Sequence, residues 1–148
     1  MTLILPQRLG AEIEAEARRA FPRECCGLIE GLWRGGDVQA VALHPAADGA
    51  ADRFAIAPEI HFAAVRAARA NGHVVIGCYH SHPGAPAHPS QEDSRGAGED
   101  NFLWLIVALD GAEATATLKA YCWSGGDFTE TGWATGADLV TSSSNTRY

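Results

Sequence analysis

The chain has 148 residues, which fits one domain, and its 47% hydrophobic content is enough for a sizeable core. Eleven basic against 18 acidic residues give a formal charge of −7, which excludes a nucleic-acid binder that works by neutralising phosphates. No stretch has the length of a membrane span, and the apolar opening Met1–Pro6 is too short for a signal peptide and lacks a basic lead, so the expected compartment is the cytoplasm.

Gln7 to Phe21 reads as an amphipathic helix, with Leu9, Ile13, Ala17, Ala20 and Phe21 on one side and charged residues elsewhere. Pro22 stops it. Cys25 to Trp33 is a strand, and the Gly35-Gly36-Asp37 turn joins it to a second strand from Val38 to Leu43. His44 to Asp52 reads as a loop, and Arg53 to Ile56 as a short extended piece. Pro58 opens a helix that Asn71-Gly72 closes, with Ile60, Ala63, Ala64, Ala67 and Ala68 as its inward face. Val74 to His82 follows as a buried strand.

A short helix is expected after Ser90, weakened by Gly96 and Gly98. Phe102 to Leu109 is a near-continuous apolar run that fits a central strand, and Asp110-Gly111 then signals a hairpin. Ala114 to Trp123 alternates, with Ala114, Ala116, Leu118, Ala120 and Cys122 on one face. Phe128 to Trp133 suits an edge strand after the Ser124–Asp127 turn. The fold class is α+β: a mixed, mostly antiparallel sheet flanked by helices, in one domain over residues 1–134. Residues 135–148 are expected to form a flexible tail, Ser/Thr/Asn-rich from Thr141. The four cysteines form no C-x-x-C pair, so they read as reduced thiols packed as small hydrophobes.

The chemistry concentrates in Cys78 to Asp93. Side chains alternate along a strand, so His80 and His82 point the same way. Two imidazoles and a carboxylate returning from a short loop, Asp93, make three ligands that can hold zinc with a fourth position open. Ser90 and Asp93 also have the spacing of a capping box at a helix start. Both readings can hold at once, and spacing does not choose between them. By composition Glu24 is an exposed acid between a helix and a strand, and His88 a surface histidine.

The pattern His80-x-His82-x7-Ser90-x2-Asp93, with Glu24 upstream in Pro22-Arg23-Glu24-Cys25-Cys26-Gly27, resembles the JAMM (MPN+) metalloprotease family. The likeness includes the Arg53-Phe54 to Pro58 segment and the His-Ser-His-Pro run, and covers about residues 8 to 133 in consistent order. It implies the MPN/JAB fold, which is cytidine-deaminase-like, and a zinc-dependent peptidase. His80, His82 and Asp93 match the zinc ligands, with water fourth; zinc lowers the pKa of that water to about 7. Glu24 matches the general acid/base, and Ser90 the residue that steadies the tetrahedral oxyanion. Only Asp93, not its neighbour Glu92, has the family spacing.

The chain is little more than the catalytic domain and has no long insertion between Phe54 and His80 or after Asp93, so it resembles the compact prokaryotic type. That type implies hydrolysis at the C-terminus of a ubiquitin-like sulfur-carrier protein, its tail laid extended beside the site. The oligomeric state is not readable. A non-catalytic scaffold of the same fold is the alternative, although that branch lacks the ligands present here. A nucleoside deaminase would carry His-x-Glu and Pro-Cys-x-x-Cys, and neither occurs.

Overall fold

The structure, a computed structural model, describes residues 1–46 and 56–136. After a two-residue strand β1 (Leu3–Ile4), helix α1 (Gln7–Ala20) buries Leu9, Ile13 and Ala17, spaced by four. The Phe21 amide still bonds the Ala17 carbonyl, and the chain then leaves the helix ahead of Pro22. Strands β2 (Cys26–Arg34) and β3 (Asp37–Pro45) form the expected hairpin. Helix α2 (Pro58–Ala70) precedes β4 (Val74–Pro83), and the short helix α3 (Gln91–Gly96) separates β4 from β5 (Phe102–Leu109). Strands β6 (Thr117–Ser124), β7 (Asp127–Thr131) and β8 (Trp133–Ala134) complete the described chain.

All eight strands make one sheet in the order β7-β6-β5-β4-β2-β3-β1-β8. Four neighbouring pairs are antiparallel; β4–β5, β1–β3 and β1–β8 are parallel. The two end strands, β7 and β8, are joined in the chain by Gly132 alone, so the sheet must roll until its ends meet. Trp133 Nε1 accordingly donates to the Leu118 carbonyl of β6 at 3.3 Å. Leu9, Ile13 and Ala17 of α1 pack with Ile29, Val38, Tyr79, Leu105, Val107 and Ala120 in the main core. The opposite face of β5 and β6 carries a second cluster, Trp104, Ile106 and Tyr121 with Ala87 of the loop after β4.

That division bears out the alternation read along β6, whose Leu118, Ala120 and Cys122 join the main core. Gly27 makes room for a neighbour. A Cβ there would overlap the Tyr79 ring, which lies across the glycine so that its hydroxyl can donate to Glu16 Oε2 at 2.8 Å. Tyr79 thus ties α1 to β4 one residue before His80.

Several expectations need correction. β3 runs on through His44 and Pro45, because His44 has a strand partner in Leu28 and a side-chain partner in Glu30. On α2 only Ala64 and Ala68 are buried; Ile60 and Ala67 are half-buried and Ala63 is exposed. The helix meets the sheet along a narrow stripe against β2 and β4, which small side chains permit. β6 begins at Thr117 rather than Ala114, so the connection after Asp110-Gly111 is longer than a tight hairpin. The expected edge strand from Phe128 to Trp133 is divided at Gly132 between β7 and β8. The extended piece at Arg53–Ala55 and the tail beyond Gly136 lie outside the described residues.

Candidate active site

β4 carries His80 and His82 on one face, as its period requires, and both are buried. α3 brings Asp93 over them, fully buried at 0% exposure. Ser90 is the N-cap of α3: its Oγ accepts from the Asp93 amide at 3.1 Å, and Asp93 Oδ2 accepts from the Ser90 amide at 2.7 Å. The capping box and the ligand arrangement therefore coexist, and the cap is what aims the carboxylate. A serine that accepts a bond in this way keeps its own hydroxyl hydrogen as a donor.

The three groups converge. His80 Nε2 is 3.0 Å from His82 Nε2 and 3.2 Å from Asp93 Oδ1, and His82 Nε2 is 3.4 Å from Asp93 Oδ2. Tetrahedral zinc with bonds near 2.0–2.1 Å places neighbouring ligand atoms roughly 3.3 Å apart, so the donor set fits that ion. Among the described residues this is the one group whose ligand atoms come together in this way.

The surroundings fix the ligands. His82 Nδ1 lies 2.8 Å from the Pro86 carbonyl. A carbonyl only accepts, so Nδ1 holds the hydrogen and Nε2 turns its lone pair to the site. Burial disfavours charge on His82, but the Asp93 carboxylate, the Pro86 carbonyl and the field of Glu24 outweigh it and raise its pKa. Burial likewise works against the Asp93 anion, and His80 and His82, which can bond to it as imidazolium when protonated, overcome that, holding the carboxyl well below the usual range. His80 also meets the edge of Trp104, with ring centres 5.8 Å apart.

Glu24 arrives from the turn between α1 and β2. Cys26 pairs with His80 across the β2–β4 ladder, so Glu24 stands two residues before that pair, beside His82. The end of the ladder is held by Ser81: its amide donates to the Cys25 carbonyl at 3.0 Å, and its Oγ accepts from the Cys25 amide at 2.8 Å. Glu24, His82, His88, Ser90 and Arg95 line an open cavity of about 540 Å³. The structure thus brings all five sequence-predicted residues to one place. Glu92 lines the same cavity but is exposed and outside the ligand group. Burial pushes the Cys25 thiol up to about 11, which suits packing rather than nucleophilic work. Sequence patterns do not single out Ser81, the Pro86 carbonyl or Tyr121, which binds the Ala87 carbonyl, since each acts through a backbone contact.

Fold and site together define a compact α+β domain built around a candidate metal centre of the open, three-ligand kind. The chain belongs to the prokaryotic JAB family: the family of prokaryotic homologues of the JAB domain matches residues 6–121. A comparison with curated proteins gives no match. A Desulfitobacterium hafniense protein solved in solution is 31% identical with a TM-score of 0.79, over 91% of this chain and 93% of that one. A JAB1/MPN domain protein from Archaeoglobus fulgidus is 19% identical with a TM-score of 0.57, covering 90% and 98%. A structure described as JAMM, a metalloprotease-like zinc site in the proteasome and signalosome, is also 19% identical, with a TM-score of 0.54 over 90% and 99%. The last two likenesses establish the fold. No helix of the described residues is long and apolar enough to cross a membrane.

Proposed function

We propose that this protein is a zinc-dependent peptidase or isopeptidase that hydrolyses an amide bond at the C-terminal tail of a ubiquitin-like, sulfur-carrier type protein. The observation that carries the reading is the convergence of His80, His82 and Asp93, with His82 lining a cavity that Glu24 and Ser90 also line. The zinc site named for the JAMM neighbour supports the choice of ion. A scaffold has no need of two buried imidazoles held within 3.4 Å of a buried carboxylate, which favours catalysis over the alternative.

His80, His82 and Asp93 would hold the metal. Zinc supplies Lewis-acid charge, which makes a water nucleophilic near neutral pH. Glu24, in the lining of the cavity with His82, accepts a proton from the attacking water and returns it to the leaving amine. Ser90 keeps its hydroxyl hydrogen while its oxygen caps α3, and donates it to the oxyanion as charge develops there. The Pro86 carbonyl keeps His82 in the metal-binding tautomer throughout. An open cavity of about 540 Å³ suits a narrow extended tail rather than a folded surface.

The test is intact-mass analysis of a panel of ubiquitin-like sulfur carriers extended beyond the C-terminal glycine, incubated with zinc-loaded protein. Trimming that requires zinc and Glu24 supports the reading. No trimming across the panel removes this substrate class.

A further inference from the structure

A second cavity of about 360 Å³ lies on the other side of the loop after β4, against Ala108, Thr117 and Lys119. Ala85, Pro86 and His88 line both cavities, so this loop is the ridge between them. The ridge is pinned at adjacent carbonyls. Pro86 O is taken by His82 Nδ1, and Ala87 O accepts from the Tyr121 hydroxyl at 2.7 Å, with Ala87 itself buried. Having given its hydrogen to Ala87, the Tyr121 oxygen can only accept from His88 Nδ1, which stands 3.2 Å away. The neutral imidazole of His88 is therefore held as the Nδ1–H tautomer, with the Nε2 lone pair at its far end. His88 stands at the seam, and it is outside the metal-ligand group.

Small residues accompany this acceptor: Gly84, Ala85 and Ala87 line the second cavity beside it. We propose that His88 is a substrate-binding residue, whose Nε2 accepts a backbone N–H from an extended peptide crossing the ridge from the metal cavity into the second cavity. The proposal rests on the hydrolase reading above and adds a contact that reads peptide backbone rather than side chain. Tyr121 is its positioning residue, since it sets which imidazole nitrogen carries the hydrogen.

The test measures steady-state cleavage of fluorogenic peptides of increasing length on each side of the scissile bond, with zinc-loaded wild type, H88A, Y121F and the double variant. For peptides long enough to span both cavities, H88A should raise KM roughly three- to tenfold, the loss of one net hydrogen bond, with kcat and zinc stoichiometry retained. Y121F keeps the ring packed against Phe128 and should raise KM in the same direction, with no further rise when added to H88A. On peptides too short to cross the ridge, both effects should vanish. An unchanged KM on long peptides overturns the proposal while leaving the hydrolase reading intact, and so does a loss of zinc in H88A. If zinc-loaded wild type cleaves no peptide or carrier tail, both fall together.

Discussion

Two sets of two histidines and one buried carboxylate stand out among the described residues, and they do opposite things. One stands at the end of β4 with Asp93 from α3, and the other joins Glu30 of β2, His44 of β3 and His73, just ahead of the start of β4. At one end, His80, His82 and Asp93 point their ligand atoms at a common point, with the two Nε2 atoms 3.0 Å apart. At the other, Glu30 divides its oxygens: Oε2 meets His44 Nε2 at 2.8 Å, while Oε1 meets His73 Nδ1 at 2.8 Å and accepts from Asn71 at 3.1 Å. There the imidazoles face a carboxylate that can accept from each, so the cluster is satisfied as hydrogen bonds and does not form a metal group. Two imidazole nitrogens and a carboxylate aimed at one point suit a cation; two imidazoles that each meet a separate oxygen of one carboxylate do not need one. Residue type is the same at both ends, and convergence makes the difference.

The largest expected effect of breaking this contrast is at the convergent set. His80→Ala should abolish stoichiometric zinc binding, and with it the amide hydrolysis by roughly a thousandfold or more, measured as kcat/KM beside metal content. Chelation of the wild type should give the same loss, reversed by zinc. Glu24→Gln should keep the zinc and lose roughly 10²–10⁴ in kcat, since it removes proton transfer and leaves the ligands in place.

At the divided set the effect should fall on stability and spare the metal. Glu30→Gln should cost roughly 1–3 kcal/mol in urea unfolding, because an amide cannot accept from all three donors. Burial opposes the Glu30 charge, but His73, His44 and Asn71 prevail and lower its pKa from the ordinary 4.5. The unfolded chain therefore binds more protons than the folded one below about pH 4.5. The Glu30 contribution is full above that pH and is lost as pH falls through the lowered folded value, so the gap between wild type and Glu30→Gln should close in acid. The smallest effect is expected at Ser81→Ala, which strands the buried Cys25 amide: roughly 1–2 kcal/mol of stability, restored by Ser81→Thr, with zinc retained throughout.

Strand alternation puts His80 and His82 on one face and a capping-box spacing places Asp93 on the first turn of α3, but spacing leaves cap and ligand both open, and the resemblance is what reads the three as a metal set. Glu24 is legible only through the resemblance, since its approach to His82 depends on the β2–β4 register. The divided set is not legible at all. Glu30 interrupts an apolar strand between Ile29 and Gly31, which is a signal, but His44 falls in a stretch that reads as a loop and His73 lies past the end of α2. Long-range pairing decides all three, and no local pattern encodes it. Periodicity locates α1, β4 and β5 closely because each has a long apolar face. The two-residue strands β1 and β8 are too short to carry a period, so the rolled closure of the sheet is invisible in the sequence.

The most direct test of the central contrast is zinc content by elemental mass spectrometry after reconstitution and desalting, on wild type, Glu24→Gln, Glu30→Gln and His80→Ala. One zinc per chain is expected in the first three and none in His80→Ala. A wild type without stoichiometric zinc, or a Glu30→Gln protein that folds but has lost it, would contradict the account.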